Sequence, residues 1–153
     1  MPQIPDPTTS SPTASETTAA PEPREEQTED GAIAFARHWI DLLNDARLEF
    51  ETEPLANAST PECATCSNYV SLIDEWQSDG TTYVSKPWRI EQVGVISSEA
   101  DAVELGLRIF RPVEEITSPV GEVEKNRGTR ATYAATFHWG DSGWRMHELV
   151  IPE

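Results

Sequence analysis

Two cysteines, three histidines and one oddly placed carboxylate are the residues whose types and spacing suggest chemistry in this chain. Cys63 and Cys66 stand in PECATC, at the start of an expected second helix. A Cys-x-x-Cys pair at a helix N-terminus has a physical logic, because free backbone N–H groups and the helix dipole stabilise a thiolate. Thioredoxin-like redox sites work in that way, but they sit in a βαβ context that this order of elements lacks. The same spacing suits a local disulfide that pins the loop to the helix, or a pair of free, buried thiols. The missing context favours the disulfide, whose ring is too short to remove much unfolded-chain entropy. A metal site would need two more ligands, and the sequence has no second Cys-x-x-Cys.

The other candidates depend on strand register near the C-terminus. Gly140-Asp141-Ser142-Gly143 reads as a turn between strands 129–139 and 144–151. Pairing Trp139 with Trp144 sets Phe137 opposite Met146, Ala135 opposite Glu148 and Tyr133 opposite Val150. The apolar residues of both strands then share one face. Glu148 falls on that face, where a carboxyl inside a pocket would titrate high and serve as a general acid or base. The plainer alternative is a carboxylate at the sheet edge that reaches water or pairs with Arg37 or Arg89. Gln92, between Ile90 and Gly94, is a second polar residue expected to line a pocket. His138 and His147 fall as diagonal neighbours on the opposite face, a place for a metal or a pH-sensitive spot, or simply two polar residues in solvent. There is no Gly-rich phosphate loop, Gly-x-Ser-x-Gly elbow or His-Glu-x-x-His run.

The elements that must position these residues begin near residue 30. Of residues 1–29, fifteen are Pro, Ser or Thr and six are acidic, so this segment is expected to be a disordered, extended spacer. It has no basic start and no apolar run of a signal peptide. Residues 30–153 hold every Trp, Tyr and Phe and form a single domain large enough for its own core. Residues 31–50 predict an amphipathic helix with Ala32, Phe35, Ala36, Trp39, Leu43, Ala46 and Phe50 on one face, capped by Thr28 or Asp30. Residues 60–79 predict a second helix, with Thr60 as N-cap, Pro61 in the first turn and Gly80 at the C-terminus. Strands follow at 81–85, 88–97 and 102–110, with a bend or bulge expected at Gly94. Residues 112–128 read as a long hairpin excursion. The sum is an α+β domain, with N-terminal helices packed on one face of a curved antiparallel sheet.

The whole chain carries a net charge of −16, which excludes a protein that holds nucleic acid or anionic lipid by its charge. No apolar run approaches a membrane span.

The segment GAIAFARHWIDLLNDA, followed by TPECATC, resembles an actinobacterial family of uncharacterised lipoproteins. The resemblance is strongest at Phe35, Arg37, Asp41, Leu42, Leu43, Asn44, Cys63 and Cys66. The order of elements and the ending DSGWRMHEL also resemble the cone-shaped α+β fold of nuclear transport factor two and ketosteroid isomerase relatives. These resemblances imply an extracytoplasmic domain, an oxidised Cys pair, a lipid anchor ahead of the spacer on a longer precursor, and no known activity. Dimerisation through the open sheet face is common in the cone fold, so a homodimer is a further expectation. No cofactor is expected. The leading reading is a non-catalytic module that presents a pocket to a small ligand or a protein partner. That pocket would lie between the first helix and the inner sheet face, lined by Trp39, Trp88, Gln92, Tyr133, Phe137 and Glu148. The alternatives are a cone-fold enzyme using Glu148 as acid/base and a redox protein using Cys63 and Cys66.

Overall fold

Thr28 sets where the first helix begins: its hydroxyl accepts a hydrogen bond from the Gly31 backbone N–H at 2.9 Å, relieving one unpaired donor of the first turn. The structure, a computed structural model, describes residues 22–151. Helix α1 runs Glu29–Glu49 and buries the predicted stripe, with Ala32, Ala36, Trp39, Leu43 and Ala46 fully enclosed. Ahead of it, residues 22–28 are packed against the domain, although the sequence assigned them to the spacer. They form a 3-10 turn, Pro23–Glu25, and a strap tied down by Trp144 Nε1 donating to the Glu26 carbonyl at 2.8 Å and Gln27 Nε2 donating to the Ala100 carbonyl at 2.8 Å. Gly31 is required beneath this strap, since a Cβ there would lie 2.0 Å from the Glu26 carbonyl oxygen. The rest of the expected spacer, residues 1–21, lies outside the described residues.

A short helix α2, Glu53–Asn57, begins at Pro54 in its first turn and was not foreseen. Helix α3 is Ala64–Asp79. It starts later than the expected Thr60 cap, because Cys63 takes that role: the Cys66 N–H donates to Cys63 Sγ at 3.2 Å. Its predicted end stands, with Gly80 in the left-handed region at φ 87°.

Seven strands follow: β1 Thr82–Ser85, β2 Arg89–Ser98, β3 Ala102–Arg111, β4 Glu114–Thr117, β5 Val123–Asn126, β6 Thr129–Gly140 and β7 Gly143–Val150. They form two antiparallel sheets, β2-β3-β6-β7 and β1-β4-β5. The expected excursion 112–128 is the far end of the β3–β6 hairpin. It breaks at Pro112, which has no N–H to donate to a ladder, and resumes as β4–β5 alongside β1. Gly128 lets the returning strand pass close to Arg111 at the break, where a Cβ would come 3.3 Å from the Arg111 carbonyl oxygen. The architecture is helices against curved antiparallel sheets, as the alternation pattern predicts. Val103, Leu105, Leu107 and Ile109 of β3, with Tyr133, Ala135 and Phe137 of β6, line the inner face against α1.

Two register details differ from expectation. Trp139 does pair with Trp144 and Phe137 with Met146, but the ladder then slips, so Thr136 meets Glu148, Ala135 meets Leu149 and Ala134 meets Val150. The slip falls where β7 is gripped on its other side: Met146 N–H donates to the Ala58 carbonyl at 2.9 Å and Thr60 N–H to the Met146 carbonyl at 2.8 Å. His147 is the extra residue of the bulge, and Leu149 replaces Glu148 on the buried face. In β2 the irregularities flank Gly94, between Ile90 and Gln92 and between Val95 and Ser97, while Gly94 itself pairs regularly with Gly106.

Cys63 and Cys66 form a disulfide, with the two residues 1% and 2% exposed in the core. The native oxidised chain should therefore show no thiol to a colorimetric reagent, folded or unfolded, and should resist mild reductant while folded. Full reduction should lower the unfolding free energy by about 2 kcal/mol, the entropy of so short a ring. Two titratable thiols before any reductant is added would contradict the pairing.

Candidate functional site

The structure fills the space where a pocket was expected. Trp39, Tyr133 and Phe137 are 0–1% exposed and belong to the central core. Trp39 even closes its polar end internally, with Nε1 donating to Ser59 Oγ at 3.0 Å. Gln92 and Glu148 are exposed on the outer face, because the bulges at Glu91 and His147 turn them away from the core. A pocket acid/base at Glu148 is thereby overturned. The buried sulfurs of Cys63 and Cys66 offer no exposed thiol for exchange. His138 and His147 do meet on the outer face, as stacked rings with centroids 3.8 Å apart, and His147 Nδ1 lies 3.1 Å from Thr60 Oγ1. No group of three or more metal-ligating side chains occurs among the described residues.

Of the six expected pocket residues, Trp88 and Tyr133 do reach a polar site, at the corner where the two sheets part. Arg47 arrives there from the last turns of α1, Tyr83 from β1, Arg111 from the end of β3, Glu114 from β4, Asn126 from β5 and Tyr69 from α3. Arg47 and Glu114 are each 6% exposed. Arg47 Nη2 donates to Glu114 Oε1 at 2.6 Å and to the Tyr83 hydroxyl. Tyr83 donates to the same carboxylate oxygen at 2.7 Å, and Asn126 Nδ2 donates to Glu114 Oε2 at 2.8 Å. Both carboxylate oxygens are therefore engaged.

Trp88 sits among the cations. The Arg47 guanidinium carbon lies 4.0 Å from its ring centroid and that of Arg111 lies 4.5 Å away, both within cation–π range. Its backbone is clamped by Asn44, which donates to the Trp88 carbonyl and accepts from its N–H, each at 2.9 Å. Tyr69 meets the Trp88 ring edge-on at 6.3 Å. The indole Nε1–H of Trp88 is buried and has no hydrogen-bond partner among the described residues.

The electrostatics separate the two arginines. Burial alone would raise the Glu114 carboxyl, but hydrogen bonds from Tyr83 and Asn126 and the charges of Arg47 and Arg111 outweigh it and hold the pKa below the usual 4.5. Burial pushes the hydroxyls of Tyr69 and Tyr83 above the usual tyrosine value of 10.0, so both stay neutral donors. Arg47 thus has an ionised counter-charge, bonded through Nη2. Arg111 is half-buried and makes one side-chain hydrogen bond among the described residues, Nη1 to the Tyr133 hydroxyl at 3.1 Å, and no ion pair. Two guanidiniums face one carboxylate, so the corner holds a surplus of positive charge inside a strongly acidic protein.

A surface groove of about 620 Å³ lies between α2, α3 and β7, lined by Ser59, Thr60, Ser67, Val70 and Arg145. It is shallow and hydroxyl-rich, and among the described residues it brings together no comparable set of buried charges. Sequence reasoning missed Arg47, Arg111, Tyr83 and Glu114. One signal was present: Arg47 continues the Ile40–Leu43 stripe at helical spacing, a charge on the face that must be buried.

The family described as a family of unknown function, DUF6318, matches residues 18–149. No curated protein matches the sequence. Among solved structures, the intermembrane space region of chloroplast protein ARC6 is similar at TM-score 0.56 and 16% identity, over 80% of this chain and 94% of that one. An uncharacterised protein with a cystatin-like fold from Caulobacter vibrioides is similar at TM-score 0.50 and 9% identity, over 80% and 91%. A protein from Catenulispora acidiphila in complex with S-DNPA is similar at TM-score 0.50 and 12% identity, over 79% and 92%. At such identities these likenesses establish a shared cone-like, cystatin-like fold.

Glu114 supplies a test of the corner. With its folded pKa lowered, its stabilising contribution is present above the ordinary carboxyl value and is lost as pH falls through the folded value. Glu114→Gln should flatten that part of the acid limb in a stability-against-pH profile. It should also cost about 3 kcal/mol or more at pH 7, because Arg47 is left buried without its counter-charge. A variant as stable as the parent at pH 7 would show that the pair does not hold the corner.

Proposed function

The chain belongs to the DUF6318 family of unknown function, and from that premise we propose that its domain is a non-catalytic, extracytoplasmic binding module that takes a small ligand at the Arg111 corner. The observation that carries this reading is Arg111 itself: a half-buried guanidinium stacked on a buried tryptophan, with one side-chain hydrogen bond among the described residues. Trp88 packs beneath it, Tyr69 meets the Trp88 ring edge-on, and the buried Tyr133 presents its hydroxyl to it. A few convergent polar groups among aromatic side chains is the composition of small-molecule sites. The Catenulispora acidiphila protein of the same fold was solved in complex with S-DNPA, which suits the reading.

The buried disulfide supports an oxidising compartment, since such pairs persist where thiols are not kept reduced. The net charge of −16 argues against a nucleic-acid partner. The placement of the corner fits a tethered module. The strap joins the domain at the first turn of α1, whereas Arg47 lies eighteen residues further along that helix, a rise of about 27 Å. A domain held by its N-terminal segment would turn this corner away from the point of attachment.

Mapping by NMR tests the site. On the isotope-labelled full chain, a set of small neutral and charged aromatic fragments should shift resonances of Tyr69, Trp88, Arg111 and Tyr133 together, including the indole N–H of Trp88. Shifts confined to the groove beside Ser59 and Ser67, or no saturable shifts at all, would overturn the assignment.

A further inference from the structure

Resting on the reading of this corner as a ligand site, we infer that its ligand is a small monocarboxylate whose carboxylate pairs with Arg111. The argument is an inventory of donors and acceptors. Arginine offers five N–H donors in a planar fork. One of those of Arg111 is used by its side chain, on the Tyr133 hydroxyl. Neither the Tyr133 nor the Tyr69 hydroxyl donates to an acceptor among the described residues. The Trp88 indole N–H, in a side chain of a residue 3% exposed, also lacks an acceptor. Glu114, the one buried carboxylate among the described residues, has both oxygens occupied by Arg47, Tyr83 and Asn126, and the exposed Glu124 meets Asn126 at 3.4 Å. Donors are in excess, and what would satisfy them is an acceptor-rich anion.

Charge selects which anion. Arg47 and Arg111 against Glu114 leave one positive charge, which a single carboxylate neutralises. A phosphate dianion would overcompensate it and would also approach a protein of net charge −16 against long-range repulsion. The planar fork matches a carboxylate in bidentate fashion, which fixes orientation as well as charge. The guanidinium lies over the Trp88 ring, which Tyr69 meets edge-on, so the body behind the carboxylate would lie beside aromatic side chains and be flat and apolar.

Benzoate, its neutral isostere benzamide and inorganic phosphate are the probes, titrated into the full oxidised chain with the Trp88 indole N–H signal as the readout. Benzoate is expected to bind saturably with a dissociation constant on the order of 1 mM or below. Benzamide and phosphate should bind at least about tenfold more weakly. Arg111→Gln should weaken benzoate by about tenfold or more, and Arg111→Lys, which keeps the charge and loses the fork, by less. The unchanged near-ultraviolet circular dichroism of the lysine variant controls for folding. Benzamide binding as well as benzoate, phosphate binding more tightly than benzoate, or benzoate binding that ignores Arg111→Gln would each overturn the inference. Neutral fragments that bind the corner where benzoate does not would leave the binding module standing without its carboxylate. Absence of every probe and fragment from the corner would remove both.

Discussion

Arg47 is the residue on which one end of this molecule depends. A guanidinium at 6% exposure cannot be left alone, because the desolvation of an unpaired charge costs several kcal/mol. Its partner comes from a strand 67 residues away in sequence, and that strand must be delivered to the last turns of α1. The long β3–β6 hairpin does this by breaking at Pro112 and resuming as β4–β5. Asn126 then engages the second oxygen of Glu114 from β5, and Tyr83 engages the first from β1. The small sheet is thus tied to the helix through Arg47, which bonds both Glu114 of β4 and Tyr83 of β1. Three residues earlier, on the same face of α1, Asn44 clamps the backbone of residue 88 while Arg47 stacks on its ring. Two adjacent polar side chains of one helix therefore position the tryptophan at the centre of the corner.

The fold was legible where periodicity alone decides. The α1 stripe, the alternation of β3 and β6, the turn at 140–143 and the Gly80 cap all follow from local pattern. Legibility failed where a third element intervened. No property of residues 144–151 taken alone announces a bulge at His147. It falls where Ala58 and Thr60 bond the free side of β7, and that contact arises from a stretch of chain nearly ninety residues earlier. A one-residue slip exchanges the faces of every residue beyond it. Glu148 and Leu149 changed places, and with them went the expected pocket acid. Gln92 was misplaced for the same reason, by a bulge at Glu91.

The site was less legible than the fold, because its parts are scattered over seven elements and a connecting loop with no motif between them. Trp88 and Tyr133 were singled out as pocket residues, but for a pocket beneath α1 that the core in fact fills. Hydrophobic patterning identifies which residues turn inward. It does not say whether they meet one another or surround a space. Arg47 was the one readable clue, a cation on an apolar stripe, and such a residue demands a buried partner somewhere in the chain.

The contrast between Arg47 and Arg111 separates structure from function within one cluster. Both lie against the same indole ring, at 4.0 and 4.5 Å. Arg47 is enclosed and matched by a carboxylate whose two oxygens are both engaged, so its charge is committed to holding the small sheet and the helix together. Arg111 stands at the rim, half-buried, with a tyrosine hydroxyl for its side-chain partner. Arg37, Arg108, Arg127 and Arg145 make no ion pair among the described residues either, and what sets Arg111 apart from them is the buried tryptophan ring beneath it. The surrounding fold holds it over an aromatic ring with a single side-chain hydrogen bond among the described residues, which suits a group preorganised for an anion that arrives from outside.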